Sequence, residues 1–238
     1  MAFLFKIFRS ALFPPADPAT SFTGKTVLIT GASPAGLGAA AAEKFALKGA
    51  ARLILAVRDV SKGEAAKASI IKTLQAQGKS CEIDVWQLDM GDYRSIRSFA
   101  DRVNSELESL DVAVLNAGVY NTEYKRGQYG WEQDLQVNTL STTLLALLLL
   151  PKLRETGKLS GERPTLEVVS SGLHYVTQLS EEMKGEDVNL LESCNREEGF
   201  GASRQYGRSK LLLMYAVDAL AEMVAKDGVP EVVVTAVW

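Results

Sequence analysis

The stretch KTVLITGASPAGLGAAAAEKFALKGA, residues 25–50, constrains this chain more than any other. An apolar, β-branched run comes first, a glycine-rich turn follows, and a helix-forming stretch closes it. Glycine turns alone are weak evidence, because any loop needs glycine where φ is positive. Strand, glycine turn and helix in that order aim backbone N–H groups and a helix N-terminus at a pyrophosphate. Far downstream stands a single Tyr-x-x-x-Lys, YGRSK at residues 206–210. The two signals together read as a cofactor cradle and an acid/base device.

Beyond the first turn, apolar strands alternate with helical patterns. Strands are predicted at 26–30, 52–57, 82–88, 112–116, 165–170 and 231–237, and helices at 37–48, 61–77, 93–107, 131–154 and 203–226. Strands apolar on both faces, separated by helices, predict a six-stranded parallel sheet covered on both sides, an α/β Rossmann-type doubly wound fold. The polar, acid-rich stretch 172–202 does not fit that alternation. It leaves a strand's carboxyl end, where open α/β sheets bind ligands, and loops of that length are usually functional.

With 238 residues, 47% hydrophobic and 23% charged, one domain over 24–238 is expected. A net charge of −3 without a Lys/Arg cluster argues against nucleic acid. Cys81 and Cys194 lack a Cys-x-x-Cys spacing and His174 is the lone histidine, so no metal site is expected, and a reduced, cytoplasmic compartment fits. Residues 1–13, MAFLFKIFRSALF, form an amphipathic pattern with Lys6, Arg9 and Ser10 on one arc. That is too short for a bilayer, which takes about 20 residues, so it reads as an interfacial membrane contact or a helix on the domain's own surface. PPADP, at residues 14–18, then breaks any helix and links into the fold.

The ordered set TGASPAGLG, LAVRDVSKGE, QLDM, LNAG, LQVNTLSTTLLALLLLP, VVSSG and YGRSK resembles the short-chain dehydrogenase/reductase family. Within it, the chain looks like the retinol dehydrogenases and their fungal relatives. The resemblance implies an oxidoreductase interconverting a carbonyl and an alcohol, with an apolar small-molecule substrate. A homo-oligomer is also admitted by it. Gly31, Gly36 and Gly38, with Ser33 and Leu37, would form the phosphate turn. The turn has one residue more than the family's between Gly31 and Gly36, and Pro34 offers no N–H, so its individual donors are left open. Val57 and Arg58 end the second strand where an acid would favour NAD; a guanidinium suits a 2′-phosphate, so NADP (NADPH) is expected, with Lys62 and Ser33 assisting. The competing reading pairs Arg58 with Asp59 or Glu64. By resemblance Asp89, with Met90 beside it, accepts from the adenine amino group, and Asn116, Ala117 and Gly118 form a turn that stabilises the central sheet near the cofactor.

Tyr206 and Lys210 stand four apart on a predicted helix and share a face. A phenol titrates near 10, so a neighbouring ammonium is needed to bring it toward neutrality. The resemblance makes Tyr206 the proton donor and acceptor, and Ser171 the hydroxyl on the substrate oxygen, with Ser170 as the alternative. Asn138 would hold a water leading protons to Lys210, or else simply mark a helix kink. His174 is a substrate-pocket candidate or a surface residue of the 172–202 stretch. Relatives continue beyond the position of Trp238 through a Pro-Gly turn, lid helices and a last strand. On that comparison the chain is expected to be weakly active and poorly soluble alone, and a non-catalytic cofactor-binding or subunit-pairing protein is the alternative.

Overall fold

A computed structural model describes residues 13, 18–183, 185, 187–226 and 229–238. The amphipathic pattern and Pro-rich linker fall almost wholly outside the described residues; Phe13 is exposed. No helix among the described residues is long and apolar enough to cross a membrane.

Six strands, β1 (Thr26–Thr30), β2 (Arg52–Val57), β3 (Glu82–Gln87), β4 (Val112–Leu115), β5 (Thr165–Val169) and β8 (Val233–Val237), form one parallel sheet in the order β3-β2-β1-β4-β5-β8. The order reverses between β1 and β4, and the crevice at that switch point is where doubly wound sheets bind ligands. Alternate side chains of the strands feed two cores. Leu28, Ile54, Trp86, Leu115 and Leu166 pack with helices α3 (Tyr93–Glu106), α4 (Thr142–Ser160) and α6 (Ala202–Val224). Val27, Ile29, Leu53, Leu55 and Ile83 pack with α1 (Leu37–Leu47) and α2 (Val60–Ala76). Helices therefore lie on both faces, as the α/β alternation predicts. On the α1/α2 face an apolar groove of about 650 Å³ remains, lined by Phe22, Phe45, Val112, Val114, Val169 and Val237.

Several boundaries differ from the sequence reading. The fourth predicted helix, 131–154, is a π-helical segment Leu135–Ser141 running into α4, which continues to Ser160. Thr142 Oγ1 donates to Val137 O and Thr143 Oγ1 to Thr139 O, bonds that help hold the wider turn. Gly157 does not break α4; Gly161, at φ 71°, ends it. The helix predicted over 203–226 stops at Val224, where the backbone turns extended, and Ala225–Lys226 (β6) pairs antiparallel with Val229–Pro230 (β7). The 172–202 stretch is not one structureless loop. It contains 3-10 turns at Gly172–Tyr175 and Glu181–Met183 and the short helix α5 (Leu190–Cys194). Cys194 is its anchor, buried against Leu135 and Leu212.

Candidate active site

The glycine turn leaves β1 with Gly31 at φ 70°, a conformation glycine adopts without penalty. A Cβ on Gly31 would stand 2.9 Å from Ala117 Cα, so the turn after β4 lies directly against it. Asn116 Nδ2 donates to Thr30 O at 2.9 Å and Gly31 O at 3.3 Å, and Ala117 N donates to Thr30 Oγ1 at 2.9 Å. A Cβ on Gly38 would meet Asn116 Nδ2 at 2.7 Å. The Asn116–Ala117–Gly118 turn thus welds the ends of β1 and β4 together, and the amide of Asn116 is spent on that structural task. The extra residue of the glycine turn is taken up by a tight corner, with Gly36 N donating to Ser33 O and Ala35 at φ 59° after Pro34. Gly36 caps α1 with no side-chain hydrogen bond and no acid lies in its first turn, so the first N–H groups are open to an anion. The Leu37 side chain turns the other way, exposed at the rim of the apolar groove.

A cleft of about 450 Å³ opens at the switch point. Of the predicted cofactor residues it brings together Gly31, Ser33, Arg58, Lys62, Asp89, Met90, Ala117 and Gly118. Asp59 does not neutralise Arg58. Its carboxylate caps α2, accepting from Ser61 N, Ser61 Oγ and Lys62 N, and these bonds hold it below the usual carboxylate range. No ion pair of Arg58 occurs among the described residues. Asp89 uses Oδ1 to accept from Gly91 N at 2.8 Å, and among the described residues its second oxygen has no donor. The far wall, Gly127, Gln128, Gln133, Gln136 and Val137, is absent from the sequence reading. The polar bonds that fold it over the cleft, Gln128 Nε2 and Gln136 Nε2 to Gly91 O, join residues distant in sequence and leave no local pattern.

Lys210 and Asn138 stand beside Gly118 at the end of this cleft, with Tyr206 one helical turn from Lys210, and Ser171 follows the end of β5, whose Val169 carbonyl Lys210 reaches. Lys210 is 3% exposed; its Nζ donates to Val169 O at 2.8 Å and stands 5.8 Å from the centre of the Tyr206 ring. A Cβ on Gly118 would lie 3.6 Å from that Nζ and 3.1 Å from Asn138 Oδ1. Burial pulls the Lys210 ammonium down to about 8, while the Asp134 carboxylate acts the other way. Asp134 is pushed up to about 6, again by burial first. Asn138 donates from Nδ2 to Val119 O at 2.9 Å and Ser209 Oγ at 3.0 Å, and its Oδ1 accepts from Val119 N at 2.8 Å. Both Nδ2 hydrogens are therefore committed, and Asn138 lies inside the π-helical segment. The two serines differ. Ser170 is buried and its Oγ has no partner among the described residues, whereas Ser171 is half-buried, its Oγ accepting from Leu173 N. His174 Nδ1 donates to Ser171 O at 2.6 Å, and its ring lies tilted against Tyr175 and meets Trp238 edge-on.

Residues 25–161 match the family model described as short chain dehydrogenase. A short-chain dehydrogenase/reductase of Aspergillus flavipes is 48% identical over 87% of this chain, and one of Phaeosphaeria nodorum is 45% identical over 93%. The chain spans 60% and 63% of the lengths of these two curated relatives. Among solved structures, a metagenomic short-chain oxidoreductase in complex with NADP superposes with a TM-score of 0.61 at 27% identity, over 86% of this chain and 78% of that one.

Proposed function

Because this chain belongs to the short-chain dehydrogenase/reductase family, whose members are nicotinamide-dependent oxidoreductases, we propose that it interconverts a carbonyl and an alcohol with NADP(H) as cofactor. The observation that carries this reading is Lys210: an ammonium buried at the end of the cleft, beside Gly118 and one helical turn from Tyr206. Burying a cation costs several kcal/mol unless something is gained by it. A positive charge held beside a residue that passes a proton to and from the substrate is such a gain.

The cleft's donor set suits the cofactor. Arg58 and Lys62, exposed at one rim, would take the 2′-phosphate, in line with the NADP bound to the metagenomic relative. The free oxygen of Asp89 would accept from the adenine amino group, with Met90 and Leu88 as its apolar floor. Ser33 and the open first turn of α1, at Gly36, Leu37 and Gly38, would receive the pyrophosphate, with Gly31 allowing close approach. Asn116, Ala117 and Gly118 would shape the nicotinamide end. Bound there, the cofactor supplies a hydride to a carbonyl carbon, or accepts one from an alcohol carbon.

The chain's own residues would handle the proton. Tyr206 donates from its hydroxyl to the oxygen that becomes the alcohol, and in the reverse direction takes that proton back. Ser171 donates a hydrogen bond to the same oxygen and so stabilises the charge developing there. Lys210 places its positive charge 5.8 Å from the centre of that tyrosine's ring. Asn138, its Nδ2 spent on Val119 and Ser209, holds the wall in place, which leaves the remaining lone pair of Oδ1 for a water.

Steady-state oxidation of NADPH with a panel of apolar aldehydes and ketones tests the reading. Tyr206→Phe should abolish turnover while leaving NADP affinity within about twofold, since the hydroxyl acts on the proton and the ring still packs. No turnover of any carbonyl or alcohol by the unaltered protein, or undiminished turnover by the variant, would overturn it.

A further inference from the structure

Tyr120 belongs to none of the motifs, yet the protein takes unusual care over where it stands. Among the described residues the segment following Gly118 has no strand partner, so its backbone polar groups must be satisfied otherwise. Two side chains about one turn apart on the helix opposite do this. Asn138 takes both the N–H and the C=O of Val119, at 2.8 and 2.9 Å. Asp134 accepts from Asn121 N at 3.1 Å and from Asn121 Nδ2 at 2.7 Å. Both clamping residues are 0% exposed.

A carboxylate in that position is an expensive way to hold a loop, because burial disfavours its charge. Between the two grips lies Tyr120, which is 52% exposed. Its ring meets Tyr206 edge-on, with centroids 5.3 Å apart and planes at 67°. The clamp therefore fixes the backbone on either side of one half-exposed aromatic ring and sets that ring against the proposed proton donor. Ligand sites are lined in this manner, by rigid apolar and aromatic groups around a few polar ones. Tyrosine adds a large contact area with few torsions to freeze.

We infer that Tyr120 is a specificity-determining residue whose ring face receives a flat, aromatic portion of the substrate, and that Asp134 is the positioning residue that holds it there. The substrate class this selects is an aryl carbonyl, or the matching aryl alcohol, rather than a compact aliphatic one. The inference rests on the oxidoreductase reading for the identity of the reacting group. The ring's preference, however, is measurable without any turnover.

The experiment is calorimetric titration of the chain, saturated with NADP, with 2-acetylnaphthalene and with its saturated decahydro counterpart. A stacked or edge-on ring contact corresponds to about 1 kcal/mol, or roughly fivefold in affinity. The unaltered protein should bind the aromatic ketone at least that much more tightly. Tyr120→Ala should lose the preference, Tyr120→Phe should restore it, and NADP affinity should stay put in both. Asp134→Leu should reproduce the loss, and adding it to Tyr120→Ala should weaken binding no further. Tyr120 is half-exposed, so its variants keep the test open if Asp134→Leu does not fold. Equal affinity of the unaltered protein for the two ketones, or a Tyr120→Ala loss that falls on both alike, overturns the assignment. A clear aromatic preference without NADPH-dependent turnover would instead count against the oxidoreductase reading and leave Tyr120 where we place it.

Discussion

Arg58 and Lys210 are cations that the fold treats in opposite ways. Arg58 is exposed at the rim of the cleft with its neighbour Asp59 turned into a helix cap, so its guanidinium stays available to a ligand. A charge-assisted contact to a 2′-phosphate is worth roughly 1.5–3 kcal/mol. Arg58→Ala should accordingly narrow the NADP-over-NAD preference by about tenfold or more, read from fluorescence titrations; equal affinity for the two cofactors before mutation would remove the basis for this assignment. Lys210, by contrast, is buried and titrates near 8 rather than 10.5. Its two readouts should run in opposite directions. Carbonyl reduction should fall as pH rises through about 8, because the ammonium is lost. Stability should rise from about pH 8 toward 10.5, because in that window the unfolded chain binds the proton that the folded chain has released. The burial penalty is thus full below 8 and relaxes above it. Asp134→Asn removes the carboxylate that raises Lys210, and should move the activity limb to lower pH. A pH–rate profile flat from 7 to 9.5 would show that Lys210 does not control the proton.

At the scale of elements, the weld between the turns after β1 and β4 is what gives the cleft its floor. Asn116→Ala would leave the Thr30 and Gly31 carbonyls without their amide donor. The expected loss is about 1–3 kcal/mol, or roughly 2–12 °C in melting temperature, with weaker cofactor binding alongside; a melt unchanged by the substitution would mean the weld is held by Ala117 and Thr30 alone. These elements were also the ones legible in the sequence. The glycine turn, the continuously apolar strands and the four-residue spacing of Tyr206 and Lys210 are local patterns, and local patterns survive in one dimension. The π-helical segment did not announce itself, because its apolar residues read equally well as an α-helix and its wider turn is braced by threonine back-bonds such as Thr142 to Val137. The helix ending at Val224 hid a two-residue ladder, β6 with β7, because helical periodicity runs on past the residue where the backbone turns. The far wall of the cleft, the Asp134 clamp and the Tyr120–Tyr206 contact were invisible for a different reason. Each joins residues with no common spacing, and only the folded sheet brings them together.

Across the whole molecule, the cleft lies where the sheet's two halves meet, so a ligand there bears on both. Its walls come from the ends of β1, β2 and β3 on one side and from the β4 turn and the π-helical segment on the other. The net charge of −3 would repel an anionic cofactor in general, but Arg58 and Lys62 put positive charge at the mouth where it acts locally. Binding that spans both halves should stabilise the fold as a unit rather than one edge of it. At a hundred times its dissociation constant, a ligand that binds only the folded state adds about 2.7 kcal/mol. For a chain of this length that is roughly 5–10 °C in melting temperature. NADP should therefore raise the melt by that amount, and NAD at the same concentration by about half or less if Arg58 discriminates as argued. Hydrogen exchange should slow together in the glycine turn, in residues 88–91 and in residues 117–137, while the stretch 172–201 changes less. Protection confined to the glycine turn and 88–91 would mean that the cofactor engages only the β1–β3 half, and that the wall carrying Tyr120 closes on something else.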